Sequence, residues 1–190
     1  MRANQAENGP LAILDLSFVP SKAVCVVVAV LARMIIEAVQ YHRKLKGYEL
    51  LMVLVLDEAH TFVHRGLNSK TGSAPGQTCC RTFERISREG RKFGLGLVLA
   101  SQRPSEISPT ILSQCNTVLL HCFVNDRDQD LIKRLVPDRL GELLRELLSL
   151  TSRRVIMLGW GAPAPLMTEM RELLEAYRPH SSAPVFWDSG

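Results

Sequence analysis

An α/β fold built on a mostly parallel sheet is what this sequence predicts, and three observations predict it. Short apolar runs alternate with longer stretches of helical character along the chain. The run over residues 50–56, Leu-Leu-Met-Val-Leu-Val-Leu, contains no polar residue, as expected of a strand buried on both faces of a parallel sheet. Three of the runs end in polar residues, at Asp57-Glu58, Ser101-Gln102 and His121. Open α/β sheets gather their chemistry at such strand ends.

The elements follow in order. Residues 1–10 are polar, end in Gly-Pro and read as a tail or incoming loop. Residues 11–16 read as a short buried strand, stopped by Val19-Pro20, with Ser21 placed to cap a long helix over 22–44. The strand at 50–56 comes next. Residues 65–78, rich in Gly, Ser, Asn and Pro, read as a loop. A helix over 79–93 is followed by Gly94-Leu95-Gly96 and a strand to Ala100. A short helix over 108–115, a strand over 117–121, helices near 126–135 and 139–148, and a strand over 154–158 complete the main body. The expected organisation is one domain over 11–178 with a tail at 179–190. No internal repeat or low-complexity tract is present.

Composition excludes several classes. With 190 residues, 46% of them apolar and 22% charged, the chain has the balance of an ordinary globular domain. A net charge of +4 permits a nucleic-acid partner without demanding one. Cysteines at 25, 79, 80, 115 and 122 are odd in number and form no Cys-x-x-Cys pair, a pattern of a reducing compartment rather than of a disulfide framework. The longest unbroken apolar run, residues 23–32, is too short to cross a bilayer. The expectation is a cytoplasmic protein without a membrane span.

The chemistry-bearing residues lie at the strand ends. An apolar run closed by Asp57-Glu58 is the Walker B pattern. In a nucleotide hydrolase the first carboxylate holds Mg²⁺, usually through water, and the second takes a proton from the attacking water. An acidic turn after a buried strand is the plainer reading of the same letters. Gln102, about 45 residues later, stands where such enzymes place a polar sensor of the γ-phosphate, or simply closes a strand.

On the helix over 79–93, Arg81, Arg85, Arg88 and Lys92 fall within about 60° of one another at ~100° per residue, opposite Phe83, Ile86, Gly90 and Phe93. That basic ridge fits a solvated face, a contact with DNA phosphates, or an arginine reaching a neighbouring subunit's nucleotide. Arg91 lies off the ridge, and geometry does not choose between it and Arg88. His60 and His64 have a zinc-compatible spacing but no evident third ligand. Neither a GxxxxGK[ST] phosphate loop nor the other motifs of DEAH-box helicases occurs, although Asp57 to His60 spell that box.

Taken together, several stretches resemble the HerA family of DNA translocases. They are Val53-Leu-Val-Leu-Asp-Glu-Ala-His60, Glu84-Arg-Ile-Ser-Arg-Glu-Gly-Arg-Lys-Phe-Gly-Leu-Gly-Leu97, Ala100-Ser-Gln-Arg-Pro-Ser-Glu-Ile107 and Ile111-Leu-Ser-Gln-Cys-Asn-Thr117. Ile13-Leu-Asp-Leu-Ser17 resembles the element before that family's Walker B strand, and Gly159 to Pro165 its last strand pair.

The resemblance covers roughly residues 11–170. It implies the C-terminal part of a RecA-like P-loop NTPase domain, and a hexameric ring that uses ATP and Mg²⁺ to drive double-stranded DNA. A NurA-type nuclease or another effector would serve as partner, in DNA end processing or phage defence. By position it implies Asp57 as the Mg²⁺ carboxylate and Glu58 as catalytic base. Gln102 becomes the sensor and Arg88 or Arg91 the finger in trans, while the 65–78 loop is a candidate DNA-pore loop.

The family's Walker A strand and loop are not among these residues. That strand belongs between the one ending at Ala100 and the one ending at His121, so a gap in the sheet with two exposed edges is expected. The chain is accordingly read as a segment of a longer or two-chain motor, inactive alone. The competing readings are a non-catalytic module that assembles with an effector or other ring subunits, and a DNA-binding module using the basic ridge.

Overall fold

The structure, a computed structural model, describes residues 2–6, 9–68, 74–121, 128, 153–162 and 164–175. Where the sequence suggested one domain over 11–178, the chain gathers into two compact units, Met1–Cys115 and Asn116–Gly190.

In the first unit, β1 (Arg2–Ala6) and β2 (Gly9–Ile13) form an antiparallel hairpin. Residues read as a tail are therefore strand, and the strand expected over 11–16 ends at Ile13. Helix α1 (Ser21–Lys46) follows, with Pro20 rather than Ser21 at its cap position. It buries Val24, Val28, Ala32, Ile36 and Val39, spaced three and four residues apart on one face. Ala23–Lys46 is long and apolar enough to cross a membrane by length and composition, a property the ten-residue apolar run did not disclose. The buried stripe nevertheless belongs to the core of this unit.

Strand β3 (Met52–Leu56) pairs in parallel with β4 (Leu95–Leu99), Met52 opposite Leu95 and Leu56 opposite Leu99. Between them lies α2 (Ala74–Glu89), which packs on α1 and continues as a 3₁₀ turn over Gly90–Phe93. Helix α2 starts five residues earlier than its sequence pattern suggests. Pro75 is tolerated there because the first turn of a helix needs no partner for its backbone N–H groups. The loop read over 65–78 thus begins with a 3₁₀ turn at Arg65–Asn68 and ends inside α2, with 69–73 outside the described residues. Helix α3 (Pro109–Leu112) closes the unit.

The β3–β4 pair is not buried on both faces. Leu54, Leu56, Leu95, Leu97 and Leu99 point into the core, but Val53, Val55 and Val98 are 63%, 60% and 48% exposed. An apolar run tells which residues shun water and not which segment covers them.

The second unit contains β5 (Thr117–Leu120), β6 (Arg154–Gly159) and β7 (Leu166–Glu169), an antiparallel sheet in the order β5-β6-β7. Among the described strands, then, parallel pairing is confined to β3 and β4, and the other pairings are antiparallel. The helices expected near 126–135 and 139–148, apart from Asp128, and the tail at 179–190 lie outside the described residues.

Two glycines give a stability test. Gly47 caps α1 at φ 79°, and a Cβ there meets nothing within 4 Å. Gly94 turns into β4 at φ 80°, where a Cβ would stand 2.9 Å from the Leu50 carbonyl oxygen. Gly47→Ala is expected to lose about 1–2 kcal/mol, the left-handed strain alone. Gly94→Ala is expected to lose a further ~1–3 kcal/mol, because backbone must move. Denaturant midpoints of the two variants check this; equal losses would contradict it.

Candidate functional site

The site is built by the parallel ends of β3 and β4. Their ladder continues past the strands, with the Ala100 N–H donating to the Leu56 carbonyl and the Ala59 N–H to the Ala100 carbonyl, each at 2.9 Å. Asp57-Glu58 and Ser101-Gln102 are thereby held side by side at one edge of the sheet. The chain puts them there because each apolar run stops at the same level of the register.

Asp57 is exposed, and its Oδ1 accepts the Glu58 N–H at 2.9 Å, which fixes the carboxylate while leaving its second oxygen open. Glu58 sits in the left-handed region, φ 47° and ψ 46°. For a residue with a Cβ this costs on the order of 1–3 kcal/mol, a strain found at functional turns. Its side chain is half exposed, yet Oε2 is closed off from solvent. His60 Nδ1 approaches that oxygen at 3.3 Å, and no group hydrogen-bonds it. His60 Nδ1 also lies 3.1 Å from Ser101 Oγ, which accepts the Arg103 N–H at 3.0 Å. Gln102 is exposed at the tip of β4, with its side chain available to a ligand.

This donor set suits a hard cation. Mg²⁺ takes one or two carboxylates and fills its remaining positions with water and phosphate oxygens. Among the described residues no cluster of three or more His, Cys, Asp or Glu could hold a metal by itself.

Arg88 and Arg91 lie elsewhere. Arg88 is in the last turn of α2 and Arg91 in the 3₁₀ turn, both exposed and both leading into the start of β4. Asp57, Glu58 and Gln102 are at the ends of β3 and β4. Five residues of strand at ~3.3 Å each separate the two levels by roughly 15 Å. The arginines are therefore not brought to the carboxylates of their own chain. The core face of α2 is as read from sequence, with Phe83, Ile86 and Gly90 buried and Arg81, Arg85 and Arg88 exposed. Arg85 is tied to Glu89 at 3.2 Å. His121 follows β5 in the second unit.

His60 and His64 do not form a helical pair. The backbone there is a 3₁₀ turn, Ala59–Thr61, so a spacing of four does not put the rings on one face. His64 Nδ1 accepts the Gly66 N–H at 2.9 Å, and its Nε2 lies 3.8 Å from Glu106 Oε2.

Sequence reasoning missed two links. One is His60 to Ser101. The other is Glu84, buried in α2, whose Oε1 accepts the Ser108 hydroxyl at 2.8 Å and the Cys80 thiol at 3.8 Å. The signal for the second was a carboxylate in the apolar arc of α2. Burial pushes the Cys79 thiol up to about 12 and the Cys80 thiol to about 11, with Cys25 nearby adding to the first and Glu84 to the second. Neither is a thiolate at neutral pH, so both serve as core residues.

No protein-family model matches the chain. Three relatives do. A protein named "Probable helicase" from Methanocaldococcus jannaschii is 33% identical over 129 residues, 68% of this chain and 23% of that protein. The DNA double-strand break repair helicase HerA of Pyrococcus furiosus is 32% identical over 124 residues, 65% of this chain and 21% of that protein. The protein of the same name from Sulfolobus acidocaldarius is 28% identical over 158 residues, 82% and 30%. The chain spans less than a third of the length of these relatives.

Among solved structures, the DNA-packaging ATPase of Sulfolobus turreted icosahedral virus matches with a TM-score of 0.54 at 15% identity, covering 75% of this chain and 62% of that one. The genome-packaging NTPase of Sulfolobus turreted icosahedral virus 2, bound to AMPPCP, matches with a TM-score of 0.52 at 18% identity over the same shares. At such identities the likeness concerns the fold, which is that of the P-loop NTPases.

Proposed function

The chain belongs to the HerA helicase family, and from that premise we propose that it supplies the hydrolytic edge of an ATP-driven motor acting on double-stranded DNA. The observation that carries the reading is the side-by-side ending of β3 and β4, which sets Asp57 and Glu58 beside Ser101 and Gln102. A phosphate loop, absent from these 190 residues, has to be presented to that edge.

Asp57 would hold Mg²⁺ through water, and the ion supplies charge neutralisation on the phosphate oxygens. Glu58 takes the proton of the attacking water, its partly closed carboxylate being aimed by the strained turn. Gln102 orients that water or the γ-phosphate by hydrogen bonding. Arg88 or Arg91, roughly 15 Å of strand away from their own carboxylates, act on the nucleotide of a neighbouring copy. This geometry favours a ring, for which a homo-hexamer is the proposed form. The proposed setting is the cytoplasm, with a NurA-type nuclease or another effector as partner in DNA end processing or phage defence.

Calorimetry with Mg·ATP tests the reading. The 190-residue chain alone is expected to bind weakly or not at all. A protein in which it is joined to a family phosphate loop is expected to bind, and Asp57→Ala in that protein to weaken binding at least tenfold. Tight binding by the chain alone, or binding indifferent to Asp57→Ala, overturns it.

A further inference from the structure

We propose that Ser101 and His60 are positioning residues for Glu58, passing the state of the β4 tip to the carboxylate. The proposal deepens the reading above and rests on Glu58 as the base.

The nitrogen His60 Nδ1 lies 3.1 Å from Ser101 Oγ and 3.3 Å from Glu58 Oε2. In a neutral imidazole that nitrogen has either a lone pair or a proton, so it serves one partner fully at a time. Ser101 Oγ already accepts the Arg103 N–H at 3.0 Å, which leaves its own proton free to donate. The assignment that follows from these distances has Ser101 donating to Nδ1, the ring proton on Nε2, and Glu58 Oε2 without a donor. That matches its standing as an enclosed oxygen with no hydrogen bond. When Ser101 moves away, Nδ1 takes the proton and donates it as a hydrogen bond to Oε2, and Glu58 is held.

Two features make this more than packing. Ser101 is the backbone neighbour of the exposed Gln102, which places the hydroxyl that occupies His60 at the same tip of β4 as the proposed sensor. His60 and Glu58 share the short turn after β3, and the left-handed backbone of Glu58 limits its freedom to find another partner. A ligand sensed on β4 therefore changes the hydrogen bonding of a carboxylate on β3 without either backbone moving far.

The test is the ¹⁵N spectrum of the imidazole rings in the full 190-residue chain, at a pH where the histidines are neutral, with His60 identified by its loss in His60→Gln. In the unmodified chain Nδ1 is expected to be unprotonated. Ser101→Ala is expected to move the tautomer ratio at least several-fold toward Nδ1–H. Ser101→Thr, which keeps the hydroxyl, is expected to retain the original ratio and shows that the fold tolerates a change there. Adding Glu58→Ala to Ser101→Ala removes the acceptor and is expected to return the ring to the ratio of a free imidazole. Protonated Nδ1 in the unmodified chain, or a ratio indifferent to Ser101→Ala, overturns the proposal. No nucleotide is present, so this failure is distinct from a failure of the hydrolytic reading, which the calorimetry detects.

Discussion

Glu58→Gln is expected to lower ATP hydrolysis by ~10²–10⁴-fold in a protein that joins this chain to a phosphate loop, while Mg·ATP binding changes little. Glutamine keeps the shape of the side chain and the turn it sits in, but cannot take a proton. Asp57, whose Oδ1 accepts the Glu58 backbone N–H and does not touch the Glu58 carboxylate, keeps its position in the variant. The predicted split is therefore in kcat and not in binding. Steady-state phosphate release and calorimetry on the same preparation read both quantities. A variant that hydrolyses ATP at a rate near that of the parent would remove Glu58 from the mechanism. The competing view of a non-catalytic assembly module would then gain, since ring assembly and effector binding need no base.

The separation of Glu58 from the arginines by a full strand length bears on the same experiment. An arginine acting on a neighbouring copy can be complemented by mixing. Subunits with Glu58→Gln and subunits with Arg88→Ala or Arg91→Ala are expected to fail in different sites, and a mixture is expected to recover part of the activity through intact sites at subunit boundaries. The carboxylates cannot be separated from Gln102 in this way, because one register of two parallel strands holds them together.

What was legible in the sequence follows from what local pattern encodes. Apolar runs stopping at Asp57-Glu58 and at Ser101-Gln102 fixed the level of the two strand ends, so the site could be placed before any pairing was known. The faces of α2 followed from a 3.6-residue period, and burial of Phe83 and Ile86 agrees. Pairing between distant segments is different. That Arg2–Ala6 joins Gly9–Ile13, or that β5 joins β6 and β7 antiparallel, depends on which edges are available and leaves little trace in composition. Pro75-Gly76 misled because proline and glycine mark turns, although proline is equally at home in a first helical turn. The bond from His60 to Ser101 spans 41 positions and had no local signal at all.

Phe83→Ala is expected to destabilise the protein by about 3–5 kcal/mol, the range for emptying a buried aromatic site. Phe83 is 0% exposed and is packed in the cluster that joins α1, α2 and the strands. Two of its neighbours on the helix, Cys79 and Cys80, are small and equally buried, so on that side of α2 only short side chains border the cavity, while Ile86 borders it one turn on. A loss of that size is a large part of the ~5–15 kcal/mol that holds a typical domain folded. Arg81→Ala, two residues away on the exposed face, truncates a side chain of similar size but is expected to shift stability by no more than ~0.5 kcal/mol. Urea midpoints of the two variants give the comparison directly. Similar losses would mean that α2 is not seated by its apolar face, and the exposed position of Arg88, on which the action in trans depends, would go with it.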